Sequence, residues 1–165
     1  MTQLPRKDQI IGLVAWLSAS FIAAAIGSAA SIQAGPFYTQ LVRPGWAPSP
    51  GVFGPVWTVL YALMGVAAWL VWRVGGVRAA RIALGLFIMQ LAVNALWSWL
   101  FFGWHLGALA FTDIILLWVL LVATVIAFWR IWPLAGALLI PYLLWVSFAS
   151  FLNYSVWQLN PQILG

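Results

Sequence analysis

Three stretches of this sequence combine tryptophan with small or polar residues at helical spacing. Trp57, Tyr61, Met64, Gly65, Ala68 and Trp72 recur at i, i+4, i+7 and i+8, so a helix puts them on one stripe. Gln90, Asn94 and Trp97 share a face in the same way, and Pro141, Trp145, Ala149, Asn153 and Trp157 follow in near register. An indole offers a large flat apolar surface and one N–H donor, and an amide adds a donor and an acceptor. Three such faces suit a flat, mostly apolar ligand with a polar rim. The same residues have plainer uses. Polar side chains in membrane helices often only hydrogen-bond a neighbouring helix, for ~0.6–2 kcal/mol. Tryptophans near helix ends often only anchor the membrane interface. Spacing alone does not choose between a pocket and these alternatives.

Other chemistry is sparsely provided. The chain has one histidine (His105), two aspartates, no glutamate and no cysteine. That leaves too few ligands for an all-protein metal cage and excludes disulfides. No metal site and no bound cofactor is expected. No nucleophile–base pair or phosphate loop supports conventional catalysis. Asp113 is the sole acid in the apolar runs. A carboxylate there is costly and faces protein or a water pocket. It is either a proton or ligand contact, or a neutral group hydrogen-bonded near helix ends. His105 reads as a surface-loop histidine.

The elements that position these residues follow from composition. Of 165 residues, 65% are hydrophobic and 5% charged, with mean hydropathy +1.05. A soluble domain with that surface would be one apolar patch, so the class is a polytopic membrane protein. The expected fold is all-α, a bundle of five transmembrane helices over about 9–31, 52–73, 80–102, 106–129 and 134–158. Each run is long enough to cross ~30 Å of hydrocarbon. The first follows Arg6 and Lys7 and resembles a signal peptide, but it is longer than such an apolar region and reads as a retained helix. Residues 1–165 read as one transmembrane domain without internal repeats. The net charge of +5 does not indicate nucleic acid, because the cations lie singly at helix ends. Arg6, Lys7, Arg73, Arg78, Arg81 and Arg130 share one side, and Arg43 is alone on the other. This bias predicts an N-in, C-out topology. On helix one, Ala19, Ala23, Gly27 and Ser31 form a small-residue stripe that serves either bundle packing or a dimer seam.

The segment Arg43-Pro-Gly-Trp-Ala-Pro-Ser-Pro-Gly-Val-Phe-Gly-Pro-Val-Trp-Thr-Val-Leu-Tyr61 opens as a Pro/Gly-rich loop and runs into helix two. Pro44, Pro48, Pro50 and Pro55 bar regular helix at its start. Irregular backbone near a membrane must pack on protein or line a cavity. The loop 35–51 therefore reads as a stiff aromatic lid, with Trp46 directed into the bundle mouth.

This segment resembles the first-loop and second-helix motif of the translocator protein family, also called tryptophan-rich sensory protein, TspO or peripheral benzodiazepine receptor. The family pattern has Pro-Pro where this chain has Pro48-Ser49, with Pro50 following. Gln90-Leu-Ala-Val-Asn-Ala-Leu-Trp97 with Phe101-Phe-Gly103 is similar to the family's third helix. Asp113 stands where the family has its fourth-helix Asp. Pro141-Tyr-Leu-Leu-Trp-Val-Ser-Phe-Ala-Ser-Phe-Leu-Asn-Tyr154, then Trp157 and Asn160, is similar to the fifth. The resemblance implies a five-helix bundle, often a homodimer in the lipid bilayer. It implies binding of porphyrins or haem-type tetrapyrroles, and in some members of sterol-like molecules or benzodiazepine-type drugs. Carried over, the ligand-binding positions are Trp46, Trp57, Tyr61, Asn94, Trp97, Trp145, Ala149 and Leu152. The eukaryotic sterol motif needs a cation after Tyr154, and none follows here. A bacterial tetrapyrrole-binding member in the cell membrane is therefore the favoured reading, sensing, transporting or regulating its ligand. The implied alternatives are light- or oxidation-dependent porphyrin degradation, with Trp57 and Trp145 as electron donors, and a ligand-free structural subunit. Arg43 meets either porphyrin propionates or lipid phosphate.

Overall fold

A computed structural model describes residues 5–165. The long helices are α1 (Arg6–Ala30), α3 (Phe53–Trp72), α5 (Arg81–Ser98), α6 (Gly107–Ile131) and α8 (Ile140–Leu159). Short helices fill the connections: α2 (Ala34–Gln40), α4 (Gly76–Ala79), α7 (Pro133–Leu138) and α9 (Pro161–Leu164). A 3-10 turn at Pro50–Val52 leads into α3, and a π-helical turn at Trp99–Gly103 extends α5. Five apolar spans of 23 to 27 residues result. Counted as whole spans, with α7 and the 3-10 and π-helical turns included, their ends lie within three residues of those the hydropathy pattern predicts. The outer surface is apolar, with Ile82 and Phe151 each 72% exposed and Leu144 65% exposed. Only lipid solvates such a surface cheaply.

Two details depart from the pattern. The predicted loop 35–51 begins as helix α2, because Pro36 falls in a first turn whose N–H groups have no helical partners anyway. The fifth span is not continuous. Pro141 cannot donate to the carbonyl one turn back, and the chain steps through Leu139, whose N–H turns instead to the Gly136 carbonyl at 3.1 Å.

The bundle has two unlike halves. In the half that carries the start of α1 and most cations, helices approach closely over small residues. A Cβ on Gly65 would lie 2.9 Å from the Leu17 Cα, and one on Gly12 would strike the Trp72 ring. Ala67, Ala68 and Ala135 are fully buried, and Phe87, Phe128 and Tyr142 fill the centre. At this end Arg73 lies over the Trp69 and Trp132 rings, and Trp69 Nε1 donates to the Gln9 carbonyl at 2.8 Å. At the cavity end of α1, Gly27 packs towards Ser98 and Ala95 of α5, so the small-residue stripe serves packing within the bundle at that position. In the other half α8 packs closely on α6 but stands away from α3 and α5. Bulky aromatic side chains prop that half open.

Candidate functional site: an aromatic cavity under the lid

The opening between α1, α3, α5 and α8 is a cavity of about 650 Å³, roofed by α2 and Pro50. This size falls within the ~300–1,000 Å³ typical of small-molecule sites. Trp57, Tyr61, Asn94, Trp97, Trp145, Ala149 and Leu152 all line it. Trp46 does not. Its ring stands half exposed on the lid, edge-on to Phe148 at 5.8 Å, and Phe148 in turn leans on Trp145.

Each wall is held by packing or hydrogen bonds from outside the cavity. Trp57 packs against Tyr61 at 5.6 Å and edge-on to Tyr142 at 6.0 Å. Tyr142 is the hub of a buried polar chain below the cavity. Its hydroxyl donates to Gln90 Oε1 at 2.9 Å and accepts from Asn94 Nδ2 at 2.8 Å. The stripes on α3 and α5 thus divide. Trp57, Tyr61, Asn94 and Trp97 reach the cavity, whereas Met64, Gly65, Ala68 and Gln90 are spent on the core. The fifth-helix stripe divides for a geometric reason. Four residues turn an α-helix through about 400°, so a row at i+4 spacing drifts by about 40° per step. Trp145, Ala149 and Asn153 face the cavity, but Pro141 is exposed and Trp157 has rotated round onto Phe111 of α6.

The π-helical turn adds residues that the sequence marked as part of a motif but not as ligand-binding positions. It keeps Phe101 stacked on Trp97, with centroids 5.5 Å apart and planes at 15°, and brings Phe102 to the same wall. Phe37 of α2 closes over both and stacks on His105 at 4.1 Å. His105 is exposed in the α5–α6 connection, with φ +57. It serves the roof and does not line the cavity. Asp113 also lies outside the lining; it is buried on α6 with Oδ2 unpartnered.

The roof is tied down by one side chain. Asn160, just past α8, accepts from the Val42 N–H at 2.9 Å and donates to the Val42 carbonyl at 2.8 Å and the Val156 carbonyl at 2.7 Å. Its amide pairs with the lid backbone as a neighbouring strand would. Beyond Val42 a tight turn closes from Ala47 N–H to the Pro44 carbonyl at 3.0 Å and presents Trp46. Arg43 lies over the Tyr38 ring, 4.8 Å from its centroid. The guanidinium sits over the ring face, and the hydroxyl has no partner in hydrogen-bond geometry. Burial pushes the Tyr38 hydroxyl above the ordinary phenol range, and Arg43 beside it pulls the other way.

One known family pattern matches residues 13–158 of this sequence. The chain belongs to the TspO/MBR family. It is an integral membrane protein. It is 44% identical over 126 residues to tryptophan-rich protein TspO of Chlorobaculum tepidum, covering 76% of this chain and 80% of that one. It is 38% identical over 147 residues to protein CrtK of Rhodobacter capsulatus, covering 86% and 90% of the two chains. It is 42% identical over 126 residues to the human translocator protein, covering 75% of each.

Proposed function

We propose that this TspO/MBR protein binds porphyrin or haem-type tetrapyrroles in the aromatic cavity and senses, transports or regulates them. The observation that carries the proposal is a 650 Å³ cavity walled by Trp57, Trp97 and Trp145 from three helices. Flat conjugated ligands gain most from such walls, through stacking added to burial. Relatives named translocator protein and tryptophan-rich sensory protein are compatible with carriage and with sensing. The test is titration of purified protein with protoporphyrin IX in the dark and in light. Saturable quenching of tryptophan fluorescence without pigment loss supports binding. A new absorbing product in light points to degradation through the pocket indoles, and no quenching rejects the proposal.

The same reading places the protein in a bacterial cell membrane as a homodimer, N-terminus in the cytoplasm and lid on the far side. The six-to-one division of cations supports that orientation. A C-terminal fusion to a reporter active only in the periplasm is expected to be active and an N-terminal one silent. The opposite pattern reverses the orientation.

A further inference from the structure

Six of the seven cations stand at the end opposite the lid, at the start of α1, the end of α3, the α4 connection, the start of α5 and the end of α6. Asp8 is the sole acid there, because the other aspartate, Asp113, lies near the lid end of α6. Among the described residues none of these cations is paired with a carboxylate.

One of the six is held differently from the rest. Arg73 lies 5.0 Å from the Trp69 ring centroid and 5.4 Å from that of Trp132, and it is half-buried, whereas Arg78, Arg81 and Arg130 are exposed. Both rings are themselves fixed. Trp69 Nε1 donates to the Gln9 carbonyl of α1 at 2.8 Å. Trp132 joins α6 to α7: its N–H donates to the Phe128 carbonyl at 2.8 Å, and its carbonyl accepts from the Ala135 N–H at 2.9 Å. The rings attract the guanidinium charge but supply no oxygen for its five N–H groups. A positioned guanidinium with its donors outstanding fits an oxyanion that accepts two N–H groups at once, and phosphate is such a group.

The surroundings indicate what carries the phosphate. Exposed apolar residues alternate with the cations: Val77 beside Arg78, Ile82 beside Arg81 and Trp129 beside Arg130, with Leu134 two residues beyond Trp132. They continue the apolar outer surface of the spans up to the charged rim. A molecule with an anionic head and hydrocarbon tails matches both parts, whereas a free phosphate matches only one. The head must also be net anionic. A choline or ethanolamine head would bring its own cation among six others and one acid.

We infer that the cation-rich end carries a site for the phosphate of an anionic membrane phospholipid, with Arg73 as the central donor and Trp69 and Trp132 as the residues that position it. The site is independent of what the aromatic cavity binds.

The test is native mass spectrometry of the full chain, released from detergent micelles that contain equal amounts of phosphatidylglycerol and phosphatidylcholine with the same acyl chains. Wild type is expected to retain phosphatidylglycerol at least about fivefold over phosphatidylcholine. Arg73→Gln should remove most of that preference. Arg78→Gln makes the same change in net charge at an exposed position and should leave most of it. Melting temperature is measured alongside. If Arg73→Gln does not fold, Arg73→Lys decides, since it keeps the charge and loses the planar fork; a severalfold drop in preference is expected. No preference in wild type overturns the inference, as does an undiminished one in a folded Arg73 variant. Equal losses from Arg73→Gln and Arg78→Gln mean diffuse charge attraction in place of a site and overturn it too. Glycerol phosphate at millimolar concentration should leave the lipid bound. Displacement by it means a site for soluble phosphates, and the lipid assignment falls.

Discussion

The two halves of this bundle are built from the same apolar alphabet and solve opposite problems. At the cation-rich end, glycine and alanine let α1 and α3 touch backbone to side chain, as at Gly65 against Leu17. At the lid end, Trp57, Trp97 and Trp145 hold the helices apart round a 650 Å³ cavity. In lipid there is no hydrophobic drive between helices, so close packing over small residues supplies much of the association. One half can stay open because the other is closed. The polar chain Asn94–Tyr142–Gln90 lies at the boundary between them and ties α5 to α8.

The largest effect should come from overfilling the closed half. Gly65→Leu puts a side chain where even a Cβ meets Leu17 at 2.8 to 2.9 Å. Overpacking of this kind costs typically about 1–3 kcal/mol, occasionally more. Thr58→Leu at the exposed cavity rim meets no such contact. Thermal unfolding in detergent should show a clear drop in melting temperature for the first and little change for the second. Equal shifts would remove the distinction between the halves.

Next in size is loss of the aromatic walls. Trp57→Ala and Trp145→Ala should each weaken protoporphyrin binding by on the order of 1 kcal/mol or more, several-fold in affinity. Trp129→Ala should leave it unchanged, because Trp129 lies against Gly136 in the closed half and is 49% exposed. Equal losses from all three, measured by fluorescence quenching on folded protein, would mean that the cavity is not the binding site.

The smallest effect is kinetic and sharpens the role of the lid. Asn160→Leu keeps size and removes all three hydrogen bonds, two of which hold Val42. Val42 is exposed, so its freed backbone groups can turn to water and the bundle should lose little stability. Stopped-flow release of porphyrin should speed up several-fold, as expected when closure retains ligand. Trp46→Ala should speed it less, since that ring touches Phe148 and lies outside the cavity lining. An unchanged off-rate in Asn160→Leu would show that the clasp on Val42 does not govern release. A larger effect from Trp46→Ala would shift the latch to the lid's aromatic tip.

The sequence by itself determined the number of spans, their ends and the asymmetry of charge between the two sides. These depend on run length and on where cations interrupt it, which are local properties. Helical periodicity also put Trp57, Tyr61, Asn94, Trp97, Trp145 and Ala149 on definite faces, and all six line the cavity, whereas Leu152 was marked only by the family resemblance. Only the tertiary structure decided where each stripe leaves the cavity and enters the core. Gln90 and Asn94 are one turn apart on the same face, yet one is buried against Tyr142 and Met64 and the other reaches the cavity. Helix α2 was hidden by proline and glycine composition, although Pro36 occupies a turn position that tolerates it. Asn153 and Asn160 were legible as polar residues near the end of a span, but their tasks were not. The state of Asn153 is set by Trp97, 56 residues away, and that of Asn160 by Val42, 118 residues away. A hydrogen bond between distant segments depends on two helices arriving in register, and no local pattern in either one carries that information.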